Sequence, residues 1–322
     1  MLKGTWDYEP VDCSRFPNVK QGTLEEINIW FDKIQSFLPL LHRPRFMDLI
    51  SGIRCADIPN HKVPNEEICL LLNAMFAMAA SFSDSPYFAN IPLPERGEAF
   101  GRRAKILYET SLSHFTVPSL LYVQGLTILE FYLYAMESNP QGWVLIGICS
   151  RLAYELELDK IDEDTDSDVT APQMDFPAHK NWTRQEERRR LWWSIWELDS
   201  FAAAVACRRP TVDKRNMQVM IPVSDKNWFS DTPVESAILD PSSSKSWRTL
   251  ERFENQDPRA WYLVANFILL SAHDLAESKN SSQEEARALE TAVACFFLIF
   301  LSDFNISSAS LSFTKERYQR SN

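Results

Sequence analysis

Glycine is scarce in this 322-residue chain, 8 in all, and no Asn-Gly or Asp-Gly pair joins stretches of alternating apolar and polar residues. Tight hairpins favour such turns, so the sequence points away from a β-sandwich or barrel and helix becomes the default expectation. Basic residues are also in deficit. With 33 Lys and Arg against 44 Asp and Glu, the net charge is −11, which offers a phosphate backbone no general attraction. The six cysteines, Cys13, Cys55, Cys69, Cys149, Cys207 and Cys295, never approach the C-x-x-C spacing of a zinc knuckle or redox pair, and they read as buried, reduced thiols. The opening MLKGTWDYEPVD lacks the basic start and apolar centre of a signal peptide, so a reducing, non-secreted compartment is expected. The apolar runs at residues 68–82 and 292–301 fall short of the roughly 20 residues that cross a bilayer. They read as core helices, with no membrane partner. Catalytic signatures are missing too. There is no nucleophile elbow, no glycine-rich phosphate loop and no carboxylate pair with a supporting histidine, so no catalytic residue is assigned and a non-enzyme is expected.

What remains is rich in core material. Apolar residues make up 45% of the chain and aromatic residues 12%, enough for a large ordered interior. The expected fold is all-α, an array of antiparallel helix pairs around an aromatic-rich core. Residues 1–22 read as an irregular leader, 23–304 as one helical domain containing an acidic, Pro-bearing linker at 159–180 and a loop at 230–256, and 305–322 as a polar tail. Within the domain, Thr23 with Glu26 and Ser282 with Glu285 have capping-box spacing. Asp257-Pro258 and Pro118-Ser119 open further helices. Two helices meet across the turn at residues 138–142, and Gly147, unfavourable within a helix, predicts a close helix crossing.

The densest stretch is NWTRQEERRRLWWSIWELDSFAAAVACRRPTVD, residues 181–213. Thr183 and Glu186 predict a capping box at its start. Leu191, Trp192, Ile195, Leu198, Asp199 and Ala202 share a helix face. Glu186 stands three and four residues before Arg189 and Arg190, the spacing of intrahelical ion pairs. The ring of Trp192, Trp193 and Trp196 is wider than one buried stripe, which implies packing on two sides. Pro210 ends the helix at or before Arg209. Asp199, a carboxylate among apolar neighbours, requires a partner, and Arg208 or Arg209 is the expectation.

This stretch resembles the signature of the fungal-specific transcription-factor domain, the middle homology region of zinc binuclear cluster regulators; Arg190, Leu191, Trp192, Trp193, Asp199, Arg208, Arg209 and Pro210 carry the likeness. Similar stretches accompany it in matching order: WFDKIQSFLPLLHRPRF at 30–46, PSLLYVQGLTILEFYLY with GWVLIGICSRLAYELELDK at 118–160, and the short run to Trp228. The resemblance implies an all-helical regulatory domain of an RNA polymerase II regulator, acting in the nucleus. It implies that DNA is read by a separate zinc cluster, so that these residues neither hold zinc nor touch DNA. The expected partners are the transcription machinery or a co-regulator, and a small-molecule effector. Trp192, Trp196, Phe201 and Trp228 are the candidate lining of a ligand or partner cavity.

Two other features invite chemical readings. His42 lies between Leu41 and Arg43 with no carboxylate or cysteine partner in sequence, and reads as structural. The acidic run at 162–168 imitates a calcium loop but lacks its turn glycine and bidentate glutamate. Through Asp162, Glu163 and Asp166 it also imitates the magnesium motif of class I terpenoid synthases, giving an alternative, a magnesium-dependent enzyme of that kind. A bare interaction scaffold is a third reading.

Overall fold

A computed structural model describes residues 21–54, 66–111, 117–137, 140–163, 178–215, 217–242, 244–278 and 282–303. Most of the expected leader, most of the acidic linker and the polar tail lie outside these residues, and Gln21 and Gly22 of the leader belong to the first helix. The apolar repeats fold as ten α-helices among the described residues: α1 (Gln21–Ile29), α2 (Arg43–Arg54), α3 (Glu66–Ala79), α4 (Glu98–Ser111), α5 (Leu120–Glu137), α6 (Pro140–Glu155), α7 (Ala178–Val205), α8 (Asp225–Phe229), α9 (Pro258–Glu277) and α10 (Gln283–Asp303). The nearest approach to a sheet is one isolated bridge, Met220 to Ile238. No described helix is long and apolar enough to cross a membrane. The fold is all-α, as the scarcity of hairpin turns predicts.

The chain forms two compact units, one from Met1–Val212 with Asp225–Pro233, the other from Asp213–Ser224 with Val234–Asn322. In the first, α1 runs into a single π turn, Trp30–Ile34, closed by the Gln35 amide donating to Trp30 O at 2.9 Å. This wider turn brings Trp30, Phe31 and Ile34 to the interior together. Helix α1 opens at Gln21, two residues before the expected Thr23 cap. Helix α3 is buried on every side from Cys69 to Ala79, because α1, α4 and α5 all pack on it. Ser119 caps α5 by accepting the Tyr122 amide at 3.1 Å. Helices α5 and α6, in contact and separated by two residues, form an antiparallel pair.

The close crossings belong to other glycines than Gly147. A Cβ at Gly125 would stand 3.2 Å from the Leu71 nitrogen on α3, and one at Gly97 or Gly101 would overlap the Ala77 carbonyl or the Tyr132 ring. At Gly147 it would meet only Arg151 of the same helix, at 3.3 Å. Gly97→Ala is therefore expected to cost about 1–3 kcal/mol through overpacking against backbone. Gly147→Ala should instead gain up to about 1 kcal/mol of helix propensity. Urea midpoints of the two variants, moving in opposite directions, check both.

In the second unit, Asp257 accepts the Arg259 amide at 2.9 Å with Pro258 in the first turn, which starts α9 as expected. The box before α10 is reciprocal: the Glu285 amide donates to Ser282 Oγ at 3.1 Å, and the Ser282 amide donates to Glu285 Oε2 at 2.8 Å. Trp261 and Phe296 bring the two helices together, ring centroids 6.0 Å apart. Asn255 Nδ2 donates to the Pro222 carbonyl and Ser236 Oγ, tying the residues on either side of the bridge into one corner. The cysteines divide. Cys149, Cys207 and Cys295 are free thiols, whereas Cys69 is disulfide-bonded, against the expectation that all are reduced.

Candidate functional site

Helix α7 lies wholly within the first unit and touches both α5 and α6. It begins at Ala178, so Thr183 is not its cap. Instead the Thr183 hydroxyl donates to Asp231 Oδ1 at 2.6 Å. The expected Glu186 pairs do form: Arg190 Nε donates to Oε1 at 3.1 Å, and Arg189 reaches Oε2 at 3.5 Å. Each arginine also has a distant carboxylate. Arg189 binds both oxygens of Asp162, and Arg190 binds Asp225 at the start of α8. Burial of Glu186 and both guanidinium groups is nearly complete, and charges taken out of water must be paired in this way. Asp162, the anchor of the magnesium reading, is thus committed to Arg189. Glu163 is exposed and Asp166 lies outside the described residues.

Trp228 completes this cluster. The Arg190 guanidinium lies 4.1 Å from its ring centre, and its Nε1 donates to the Thr183 carbonyl at 3.1 Å. His42 Nε2 meets the Trp228 carbonyl at 2.9 Å, while His42 Nδ1 accepts the Arg45 amide, so the neutral ring is satisfied at both nitrogens. Burial holds its pKa below the ordinary histidine value, opposed by the Trp228 carbonyl and Asp231. His42 is a structural pin for the segment Asp225–Pro233, as its sequence context predicts. The sequence gives no signal for this seat, because its parts come from residues far apart in the chain.

Further along α7, Trp192, Trp193 and Trp196 are buried. Trp192 packs edge-on against Tyr154 of α6, and Trp193 against Trp196. Phe201 does not join them. It is 60% exposed, touched at its edge by Tyr134 of α5. The four candidate cavity residues are therefore spread over three places: Trp228 in the arginine cluster, Trp192 and Trp196 in the interior, Phe201 outside.

The helix ends in a Schellman turn. Cys207, with φ of 50°, takes the left-handed conformation, and the Arg208 amide donates back to Ala203 O at 2.9 Å. Asp199 then receives its partners, which correct the expectation of an arginine. Its Oδ2 accepts the backbone amides of Thr211 at 2.6 Å and Val212 at 2.8 Å. Pro210 sits just before these amides and makes the turn that brings them back. Arg208 instead lies over the Trp143 ring at 5.3 Å. Both Arg208 and Arg209 are exposed, with no ion-pair partner among the described residues. Backbone amides serve Asp199 better than arginine would, since they are fixed in place and need no charge brought into the core.

A buried acid that the sequence reading passed over lies nearby. Glu130 of α5 is 1% exposed, and its Oε1 has no hydrogen-bond partner. Burial, and secondarily the charge of Asp199, push its pKa well above the carboxylate range. Its signal in the sequence is a single acid in the apolar run LTILEFYLY. Among the described residues, no three His, Cys, Asp or Glu side chains converge where a metal ion could bind.

Among the described residues of the first unit, helices α5 and α6 pack on one arginine- and tryptophan-rich helix, α7. The fungal specific transcription factor domain matches residues 27–304, and the chain belongs to that family. It is 26% identical over 253 residues to the Zn(2)-C6 fungal-type transcription factor FTF1c of Fusarium oxysporum f. sp. lycopersici, covering 74% of this chain and 24% of that protein. To the pigment biosynthesis transcriptional activator pigB of Monascus ruber it is 25% identical, covering 66% of this chain and 35% of the other. To the activatory protein CHA4 of Saccharomyces cerevisiae it is 29% identical, covering 52% and 26%. The chain thus spans about a quarter to a third of the length of these relatives. No solved structure matches it.

Proposed function

We propose that this chain is the regulatory domain of a fungal regulator of RNA polymerase II transcription, acting in the nucleus. DNA reading is supplied by a zinc cluster outside these residues, and control passes through a protein partner docked at the end of α7. Relatives named as transcription factors and activators support the regulatory role. One surface observation favours a protein partner. Phe201 and Val205, one turn apart on α7, are 60% and 63% exposed, and the unpaired Arg208 and Arg209 follow directly. On a chain of net charge −11, an apolar ridge beside two open cations suits a partner whose carboxylates flank apolar anchors, such as a co-regulator or a component of the transcription machinery. The interior tryptophans, packed edge-on to aromatic neighbours, act as core.

The test fuses the 322-residue chain to an unrelated DNA-binding domain upstream of a reporter. The fusion should move output away from that of the DNA-binding domain alone. Phe201→Glu combined with Arg208→Glu should restore the baseline at unchanged abundance. A wild-type fusion without effect, or a double variant indistinguishable from wild type, refutes the reading.

A further inference from the structure

A hydroxyl residue followed by proline, the pair that proline-directed protein kinases accept, occurs twice in the chain, at Ser85-Pro86 and at Thr232-Pro233. The fold treats the two differently. Ser85 is 8% exposed, and its hydroxyl is engaged as the cap of a short helical turn, accepting the Tyr87 amide at 3.4 Å. Thr232 is exposed, as are Asp231 before it and Pro233 after it. Its hydroxyl bonds at the surface, to Ser230 Oγ at 2.9 Å and to the Ser230 carbonyl at 3.3 Å. Residues 232–235 belong to no helix or strand, so an enzyme cleft can take this hydroxyl without unwinding an element.

A phosphate at Thr232 meets a helix end. Asp231 takes the left-handed conformation, with φ of 51°, and closes α8 in a Schellman turn. Its amide donates to the Trp228 carbonyl at 3.1 Å, and the Thr232 amide donates to the Asn227 carbonyl at 2.9 Å. This turn also ties α8 to the signature helix, because Asp231 Oδ1 accepts the Thr183 hydroxyl of α7 at 2.6 Å and Trp228 Nε1 donates to the Thr183 carbonyl at 3.1 Å. A phosphothreonine carries a charge of roughly −1.5 to −2. At position 232 that charge stands beside the Asp231 carboxylate and at the carbonyl end of α8, and both repel it. We propose that Thr232 is a phosphorylation site for a proline-directed protein kinase, and that phosphate there loosens the turn that seats Trp228 on α7. In the transfer, Thr232 Oγ1 bonds to the γ-phosphorus of ATP, the bond from that phosphorus to the β-phosphate oxygen breaks, ADP leaves, and the hydroxyl proton passes to the kinase's base. The site is independent of the partner proposed for the end of α7.

The test incubates the whole chain with a purified proline-directed Ser/Thr kinase, ATP and magnesium, and maps the phosphate by mass spectrometry. Thr232 should carry about tenfold or more phosphate than Ser85, whose access requires local opening. Thr232→Val, which leaves the backbone turn in place, should retain no more than the trace at Ser85. A chain without phosphate at Thr232, or with equal amounts at both residues, overturns the site. Hydrogen exchange reads the consequence. The Asp231 amide and the Trp228 indole N–H should exchange about tenfold or more faster in the phosphorylated chain, and a phosphatase should restore their protection. Thr232→Val treated with the kinase should show no change. Protection at these two groups that full phosphorylation of Thr232 leaves unmoved overturns the loosening.

Discussion

Replacing Arg190 with alanine is expected to cost about 3–5 kcal/mol, the usual penalty for stranding a buried charge. Three losses coincide at this residue. Glu186, with no exposed surface, loses its shorter ion pair at 3.1 Å, while the contact to Arg189 at 3.5 Å remains. Asp225 loses its partner at the start of α8. Trp228 loses the cation over its ring, a contact worth up to about 2 kcal/mol when desolvated and included in that total. The control is Arg45→Ala. Arg45 also makes a short ion pair, to Glu187, but its side chain is 43% exposed, and such pairs contribute about 0–1 kcal/mol. Denaturant midpoints of the two variants should therefore separate clearly. Arg190→Ala together with Glu186→Leu should recover much of the loss, because the stranded carboxylate goes with its partner.

Stability should also fall as pH rises from about 4.5 to 7, and Glu26 is one named cause. Burial pushes its carboxyl up to about 7, against a smaller opposing pull from the Ser83 hydroxyl. Neither of its oxygens has a partner in hydrogen-bonding geometry. Because the folded-state value exceeds the unfolded one, the folded chain binds this proton more tightly. Its contribution is fully present below about 4.5 and is lost progressively as pH climbs to 7. A carboxyl held at about 7 in place of 4.5 corresponds to about 3 kcal/mol. Glu26→Gln should be nearly neutral at pH 4.5 and more stable than wild type by up to that amount at pH 8. Chemical denaturation at the two pH values checks it, and equal midpoint shifts at both would contradict it.

Local chemistry was readable from the sequence; long-range pairing was not. The Ser282–Glu285 box, the Asp257 cap and the Glu186 pairs are contacts within one turn, and spacing alone places them. Thr183 misled because cap spacing also occurs inside a helix, where the hydroxyl can bond elsewhere, here to Asp231. Gly147 misled because a helix glycine signals a close crossing only if another helix passes there, and the neighbour that decides this belongs to another part of the chain. At the candidate site, the helix, its buried face and the need of Asp199 for a partner were legible. That the partner would be backbone was not, since amides at 211 and 212 carry no mark in the letters. The seat of Trp228 depends on residues 42, 183 and 190 meeting in three dimensions. Glu130 could have been found by asking what a lone acid does in an apolar helix.

The proposed division of α7 sets a beginning that holds the fold against an end open to a partner. Its most direct test is the thermal midpoint of the purified chain carrying Phe201→Glu and Arg208→Glu, set beside wild type and Arg190→Ala. Phe201 and Arg208 each give up one ring contact at an exposed position, to Tyr134 and Trp143, and such contacts are worth about 0.5–1.5 kcal/mol each, so the double variant should melt close to wild type while Arg190→Ala melts well below. A double variant that melts as early as Arg190→Ala would show that the end of the helix is packing rather than display, and the division would fail.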